Sequence, residues 1–244
     1  MYPTGFTSIF FPSQKSVKSK ACQILPNKLD LPYNPKYIYY KPLEYEWEVK
    51  QLTILFKQWF PLEYPQEFYD SLLDGKSYFT LLSVYEDTYP IILGCLIYEV
   101  KPLDYSLTTL PLASINKENR CVYIMALGVV EEARKQGIGT SLLQKAFDYV
   151  KKDSNVKCIY LDMIVYNKTA IRCYEKNGFV CVTTRKGYYE ISKDEIHDSL
   201  VYCFYIHGGQ KPQKGSGFKR ENLPYGYLNP FYTDIIKIQK SNIS

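Results

Sequence analysis

Tyr123-Ile-Met-Ala-Leu-Gly-Val-Val-Glu-Glu-Ala-Arg-Lys-Gln-Gly-Ile-Gly139, continued by Thr140-Ser-Leu-Leu-Gln-Lys-Ala-Phe147, sets the architecture of this chain. It begins as an apolar run of strand character, passes through a short loop carrying Arg134 and Lys135, and ends in the start of an amphipathic helix. Gly137 and Gly139 let the backbone turn tightly and bring consecutive N–H groups toward one point, where the positive end of the helix dipole also points. Such a place binds anions. The side chains of Arg134 and Lys135 add charge beside it, which suits a diphosphate. A dinucleotide-binding turn is disfavoured, because the second half of Gly-x-Gly-x-x-Gly is missing and no acidic residue closes a following strand at the expected distance. The Gly-x-x-x-x-Gly-Lys pattern of nucleotide-triphosphate loops is absent as well.

Upstream, Ile38-Tyr-Tyr-Lys-Pro-Leu43 predicts a first strand closing at proline, after which Val49, Leu52, Leu55, Phe56 and Trp59 recur at helical spacing. That helix stops before Pro61. Two prolines stiffen Phe60-Pro-Leu-Glu-Tyr-Pro65, and residues 66–73 can form a second short helix. Residues 77–85 and 91–100 read as a hairpin, and 102–119 as an inserted loop. Downstream, Leu142, Leu143, Ala146, Phe147 and Val150 share one face of a helix over 139–150, and residues 158–165 form a second buried strand. Asn167 caps a short helix that ends at Gly178, and residues 179–184 and 200–206 supply the last two strands. The alternation of strands and helices with flanking hairpins predicts an α/β fold built on a mixed sheet. No internal repeat interrupts it.

At 244 residues the chain holds one substantial domain with extensions. No run approaches the roughly 20 apolar residues that span a bilayer. The N-terminus lacks the charged-then-apolar pattern of a secretion signal. Seven cysteines, scattered and never spaced Cys-x-x-Cys, read as reduced core thiols of a cytosolic protein. The net charge of +5 is unevenly placed: residues 1–40 carry five Lys against one Asp, and residues 208–244 carry six Lys or Arg against two acids. The expected organisation is therefore a basic, partly disordered extension over 1–36, one domain over 37–207, and a basic tail over 208–244. Such ends suit an anionic membrane surface or nucleic acid better than an active site, or simple solvation. Pro230-Phe-Tyr-Thr-Asp-Ile-Ile-Lys-Ile-Gln-Lys240 adds a small apolar cluster beside lysines, compatible with weak interfacial binding.

The order strand, Arg134-x-x-Gly137-x-Gly139, amphipathic helix resembles the acetyl-CoA signature of the GNAT acetyltransferase superfamily. Three further blocks, Phe60-Pro-Leu-Glu-Tyr-Pro65, Tyr123-Ile-Met-Ala-Leu-Gly-Val-Val130 and Tyr202-Cys-Phe-Tyr-Ile-His-Gly-Gly209, resemble the NatF-type N-terminal acetyltransferases of that superfamily, over roughly residues 44 to 211. The resemblance implies the GNAT fold, a mixed and mostly antiparallel central sheet flanked by helices. It also implies acetyl-CoA as co-substrate, no metal, and protein N-termini as acceptors. Backbone groups of Met125, Ala126, Leu127 and Val129 would pair with the pantetheine arm, with a strand bulge in the Leu127-Gly128 region. Arg134, Lys135, Gln136, Gly137, Ile138 and Gly139 would hold the pyrophosphate. Asn167 and Tyr174 would line the thiol end, Tyr174 protonating or orienting the leaving sulfur; it also reads as an ordinary core tyrosine.

By the same resemblance Tyr123 is the catalytic tyrosine, which in the family works with a histidine on the neighbouring strand through ordered water. Here that position is Asp162, and neither His197 nor His207 falls at a catalytic place. An aspartate, with an ordinary pKa of ~3.9, is charged at neutral pH unless strongly desolvated. It can accept a proton through water, hold Tyr123 and a substrate ammonium, or stand by. An acid inside a buried strand needs a partner, and a cationic amine is the obvious one. Phe60, Pro61, Glu63, Tyr64, Met125, Tyr188 and Tyr189 match positions that cradle the first residues of a peptide in the family, which accepts Met followed by Leu, Ile, Phe, Tyr or Lys. Lysine ε-acetylation, as on histones, and a weakened acetyl-CoA-binding module stand as alternatives. Nucleic acid is not an expected partner, and the expected state is a monomer or weak homodimer. The family's association with the cytosolic face of Golgi and related membranes makes a cytoplasmic, membrane-peripheral location the expectation.

Overall fold

The computed structural model describes residues 37–60, 64–86, 90–103, 118–192 and 194–209. In chain order the elements are β1 (Ile38–Pro42), α1 (Glu46–Trp59), α2 (Gln66–Ser71), β2 (Phe79–Tyr85), β3 (Ile91–Pro102), β4 (Arg120–Val129), α3 (Ile138–Val150), β5 (Val156–Ile164), α4 (Lys168–Lys176), β6 (Val180–Ser192) and β7 (Glu195–Tyr205), with a 3-10 turn at Glu131–Ala133 between β4 and α3. The extension 1–36, residues 104–117 of the inserted loop, Pro61, Glu63 and the tail beyond Gly209 lie outside the described residues.

The seven strands form one sheet in the order β1-β2-β3-β4-β5-β7-β6. Every neighbouring pair is antiparallel except β4 with β5, which is parallel and central. A parallel pair needs a crossover, and α3 supplies it. Helices cover both faces. Gly128 of β4 lies under the Trp59 ring of α1, while the side chain of its neighbour Val129 approaches Gly139 of α3, and successive residues of a strand point to opposite faces. Double coverage explains why β2 and β3 read as near-continuous buried runs rather than alternating ones. Leu52, Leu55 and Phe56 from α1 and Leu142, Leu143 and Phe147 from α3 fill that core. The N-terminus of α1 is fixed by Glu48, whose carboxylate accepts from the N–H groups of Glu44 and Tyr45 and pairs with Lys41 of β1 at 2.8 Å.

Two expectations need correction. Strands β6 and β7 run well beyond 179–184 and 200–206, because the polar stretch between them is a long hairpin tied by Lys186 with Asp198 and by the Tyr189–His197 pair. The cysteines of the described residues form no disulfide, yet they are not uniformly core thiols. Cys95, Cys121, Cys158 and Cys203 are buried, Cys173 is half-buried, and Cys181 is exposed on the edge strand β6.

Candidate active site

The ladder between β4 and β5 is short. Cys121 lies opposite Cys158, Val122 opposite Ile159 and Tyr123 opposite Tyr160, and there it ends, although β4 runs on to Val129 and β5 to Ile164. β3 occupies the other edge of β4 along its whole length. Between Ile124 and Val129, therefore, the β4 edge facing β5 meets no strand among the described residues. An extended chain with its own amides can add there by backbone hydrogen bonding. At about 3.3 Å per residue the stretch from Tyr123 to Val129 spans roughly 20 Å. Met125, Ala126, Leu127 and Val129 all lie on it.

The bulge expected at Leu127-Gly128 sits at Met125 instead, where the β3 register slips: Ile97 faces Ala126 and Tyr98 faces Ile124. A one-residue bulge reverses the in–out alternation of the strand residues beyond it. Gly128 thereby looks to the same face as Tyr123, and its lack of a side chain serves packing. A Cβ there would lie 2.0 Å from Cε3 of Trp59.

At the far end of the gap stands the N-terminus of α3. Gly137 is its N-cap with φ 85°, a left-handed conformation that favours glycine, and no side chain caps the helix. The first intrahelical bond runs from the Ser141 N–H to the Gly137 carbonyl, so the N–H groups of Ile138, Gly139 and Thr140 have no acceptor within the helix. No acidic residue occupies the first turn. Among the described residues a Cβ on Gly139 would meet only Val129 Cγ2, at 3.9 Å, so none of them requires glycine there. A bare, donor-rich surface is what a phosphate needs. Arg134 is placed beside it, its Nε donating to the Val129 carbonyl at 3.1 Å, and Lys135 holds φ 63°; Gln136 Nε2 ties back to the Glu132 carbonyl at 3.2 Å.

Tyr123 and Asp162 come together at the point where β4 and β5 part. The Tyr123 ring lies 4.9 Å from that of Tyr160, and Lys101, paired with Glu99 at 3.0 Å, sits 5.3 Å above the Tyr123 ring. Burial, then the neighbouring Tyr188 and Asp162, push the Tyr123 phenol well above its ordinary value, so it stands as a neutral hydroxyl. The Asp162 side chain is 1% exposed, and both oxygens are taken. Arg185 of β6 reaches Oδ2 at 3.1 Å, and the Ser199 hydroxyl of β7 donates to Oδ1 at 2.8 Å. The expected cationic partner, a substrate amine, is thus replaced by a residue of the chain itself. Burial raises the Asp162 carboxyl, against the pull of Arg185 and Ser199. Tyr188 is hydrogen-bonded to both Tyr123 and Arg185.

The remaining residues divide. Tyr188 and Tyr189 stack edge to face at 5.0 Å beside Tyr123, whereas Phe60 and Tyr64 belong to an aromatic cluster of α1 and α2 with Phe56 and Phe68. Asn167 caps α4, accepting from the Ala170 N–H at 3.0 Å. Tyr174 is buried with Phe179 edge-on at 5.2 Å, and burial raises its phenol. Sequence reasoning missed Trp59 over Gly128, Tyr160, Arg185 and Ser199. Arg185 had one signal: a buried acid at 162 requires a cation, and β6 carries one. Among the described residues no group of three or more His, Cys, Asp or Glu is placed to hold a metal ion.

Residues 44–179 match the Acetyltransferase (GNAT) family. N-alpha-acetyltransferase 60 of Xenopus tropicalis is 31% identical over 170 residues, covering 68% of this chain and 69% of the relative. Two crystal structures of Arabidopsis thaliana NAA60 superpose, each at 26% identity over 70% of this chain and 99% of theirs. The complex with a bisubstrate analogue gives a TM-score of 0.64, and the complex with acetyl-CoA 0.63. The seven-stranded sheet with its helices is the fold these structures share.

Proposed function

Because the chain belongs to the acetyltransferase (GNAT) family, we propose that it is a protein N-alpha-acetyltransferase, moving acetyl from acetyl-CoA to the α-amine of protein N-termini by direct attack in a ternary complex. The observation that carries this reading is the parting of β4 from β5, which joins the bare N-terminus of α3 to the Tyr123 centre by an open strand edge. Acetyl-CoA supplies an activated acyl group and a thiolate leaving group. Ile138, Gly139 and Thr140 offer N–H groups to its pyrophosphate, with Arg134, Lys135 and Gln136 on the rim of the same loop. The free edge of β4 from Met125 to Val129 orders the pantetheine arm, and Asn167 and Tyr174 flank its thiol end. Tyr123 holds the attacking amine and the water that takes its proton. Tyr188 and Tyr189 wall the acceptor side, and Phe60 and Tyr64 back the path of the peptide.

The centre is better suited to an α-amine than to lysine. Near pH 7.4 roughly a fifth to a third of α-amines are neutral (pKa about 7.7–8.0) against ~0.1% of ε-amines (pKa ~10.4), a difference of roughly 200- to 300-fold that a site without a strong base passes on to the rate. Aromatic walls suit a starting methionine, and Met-Leu, Met-Ile, Met-Phe, Met-Tyr and Met-Lys are the proposed N-termini. The test is direct. Acetyl-CoA is incubated with a Met-Leu peptide and with an N-blocked lysine peptide, and products are read by fragmentation mass spectrometry. Acetylation of the Met-Leu α-amine is expected; acetylation of lysine alone would overturn the proposal.

A further inference from the structure

Arg185 stands in the centre with no part in the acetyl-transfer steps above. Its guanidinium lies 3.1 Å from Asp162 Oδ2, hydrogen-bonds Tyr188, and stacks with its Cζ 5.4 Å from the Tyr188 ring centroid. Tyr188 in turn is hydrogen-bonded to Tyr123. The chain of contacts runs carboxylate, guanidinium, phenol, phenol, across β5, β6 and β4. A planar fork of donors can hold a carboxylate on one side and a phenol on the other at once, which a lysine ammonium on a flexible stem cannot do with the same geometry.

We propose that Arg185 is the positioning residue of this centre: anchored by Asp162, it holds Tyr188, and through Tyr188 the hydroxyl of Tyr123, at the point where β4 and β5 part. Asp162 is then the anchor of Arg185 and not the acceptor of the amine's proton. The inference rests on the acetyl-transfer reading of the site and assigns work within it.

Three observations bear on it. To accept a proton, Asp162 would have to take it on an oxygen already held by Arg185 or Ser199, in a place where its side chain is 1% exposed, and would lose the charge that pairs with Arg185. The charged groups facing Tyr123 close into two pairs, Glu99 with Lys101 from β3 and Asp162 with Arg185 from β5 and β6, while β7 contributes the neutral Ser199. Hence the amine meets no uncompensated anion among the described residues, and its own deprotonation in water sets the reactive fraction. Finally, the β6 register places one residue of β7, Asp198, opposite three of β6, Lys186, Gly187 and Tyr188, between the Arg185–Ser199 and Tyr189–His197 pairs. The excess strand length is where Tyr188 turns toward Tyr123.

The test uses the full chain with two variants. Asp162→Asn with Arg185→Met removes both charges together, so no orphan ion is left to unfold the domain, and Asn keeps a partner for Ser199. Arg185→Lys keeps the charge beside Asp162 but loses the fork. Each is measured for kcat on a Met-Leu peptide, for acetyl-CoA Kd, and for the ring-carbon NMR resonances of Tyr123 and Tyr188 in tyrosine-labelled protein. Both variants should lose kcat, the double one by roughly 10-fold or more, with acetyl-CoA Kd within about twofold of wild type and both tyrosine resonances displaced. Wild-type kcat in Arg185→Lys alongside a loss in the double variant would assign the chemistry to the carboxylate and overturn the proposal, as would unmoved tyrosine resonances. Should wild type transfer acetyl to no peptide, the acetyl-transfer reading falls separately, and the resonances alone decide: displacement supports the role of Arg185, and its absence removes it.

Discussion

Replacing Gly139 by alanine should move stability and cofactor affinity in opposite directions. Gly139 is the second residue of α3, and among the described residues a Cβ there has only Val129 Cγ2 within 4 Å, at 3.9 Å, an ordinary contact. Its backbone is helical, so alanine fits without strain. By narrowing the unfolded ensemble it should stabilise the domain by about 0.4–1 kcal/mol. For a domain of this size that corresponds to a rise of roughly 1–4 °C in Tm. The added methyl nevertheless stands on the surface where the Ile138, Gly139 and Thr140 N–H groups face a phosphate, and lengthening even one such bond weakens a charge-assisted contact worth about 1.5–3 kcal/mol. Acetyl-CoA Kd should therefore rise roughly 10- to 100-fold. Thermal unfolding of the free protein gives the first quantity and titration calorimetry with acetyl-CoA the second. A stabilised variant with unchanged affinity would refute the placement of the pyrophosphate on this loop. Destabilisation would show instead that the glycine serves the fold.

Gly128→Ala drives a Cβ to 2.0 Å from the Trp59 ring, so it should destabilise by about 1–3 kcal/mol in denaturant unfolding, with partial recovery when Trp59→Leu is added; full stability would mean that α1 does not press on β4 there. The acid limb of kcat/KM should follow the substrate amine: activity falls as pH drops through about 7.7–8.0 because the nucleophile becomes protonated, and the limb moves when a peptide of different amine pKa is used. A limb fixed across substrates would indicate an enzyme group. Deleting residues 212–244 should weaken sedimentation with anionic liposomes and leave peptide acetylation in solution unchanged, whereas loss of both together would make the tail part of the catalytic domain.

The two ends of the site were unequally legible in the sequence, for a physical reason. The phosphate end is local: Gly137, Gly139 and the apolar face of Leu142, Leu143, Ala146 and Phe147 lie within a dozen residues, and helix geometry alone turns that spacing into a bare, donor-rich N-terminus. The chemical end depends on strand register. A bulge at Met125 reverses alternation along β4, and slips between Arg185 and Tyr189 shift β6 against β7. Gly187, with φ 60°, marks the slip in β6, but no residue type marks the one at Met125, and each slip changes which side chains share a face. Tyr123 and Asp162 were singled out through the family resemblance, position by position, and not through strand register. Arg185 was hidden because it reaches Asp162 across the intervening strand β7, and a buried acid read without its cation naturally suggests a substrate amine as partner. Once the cation is supplied by β6, the amine loses its anionic host in the centre, and selection falls to the amine's own proton affinity. That favours the weaker base, an N-terminal α-amine, over lysine on the same ground that makes the Asp162–Arg185 pair a scaffold for Tyr123.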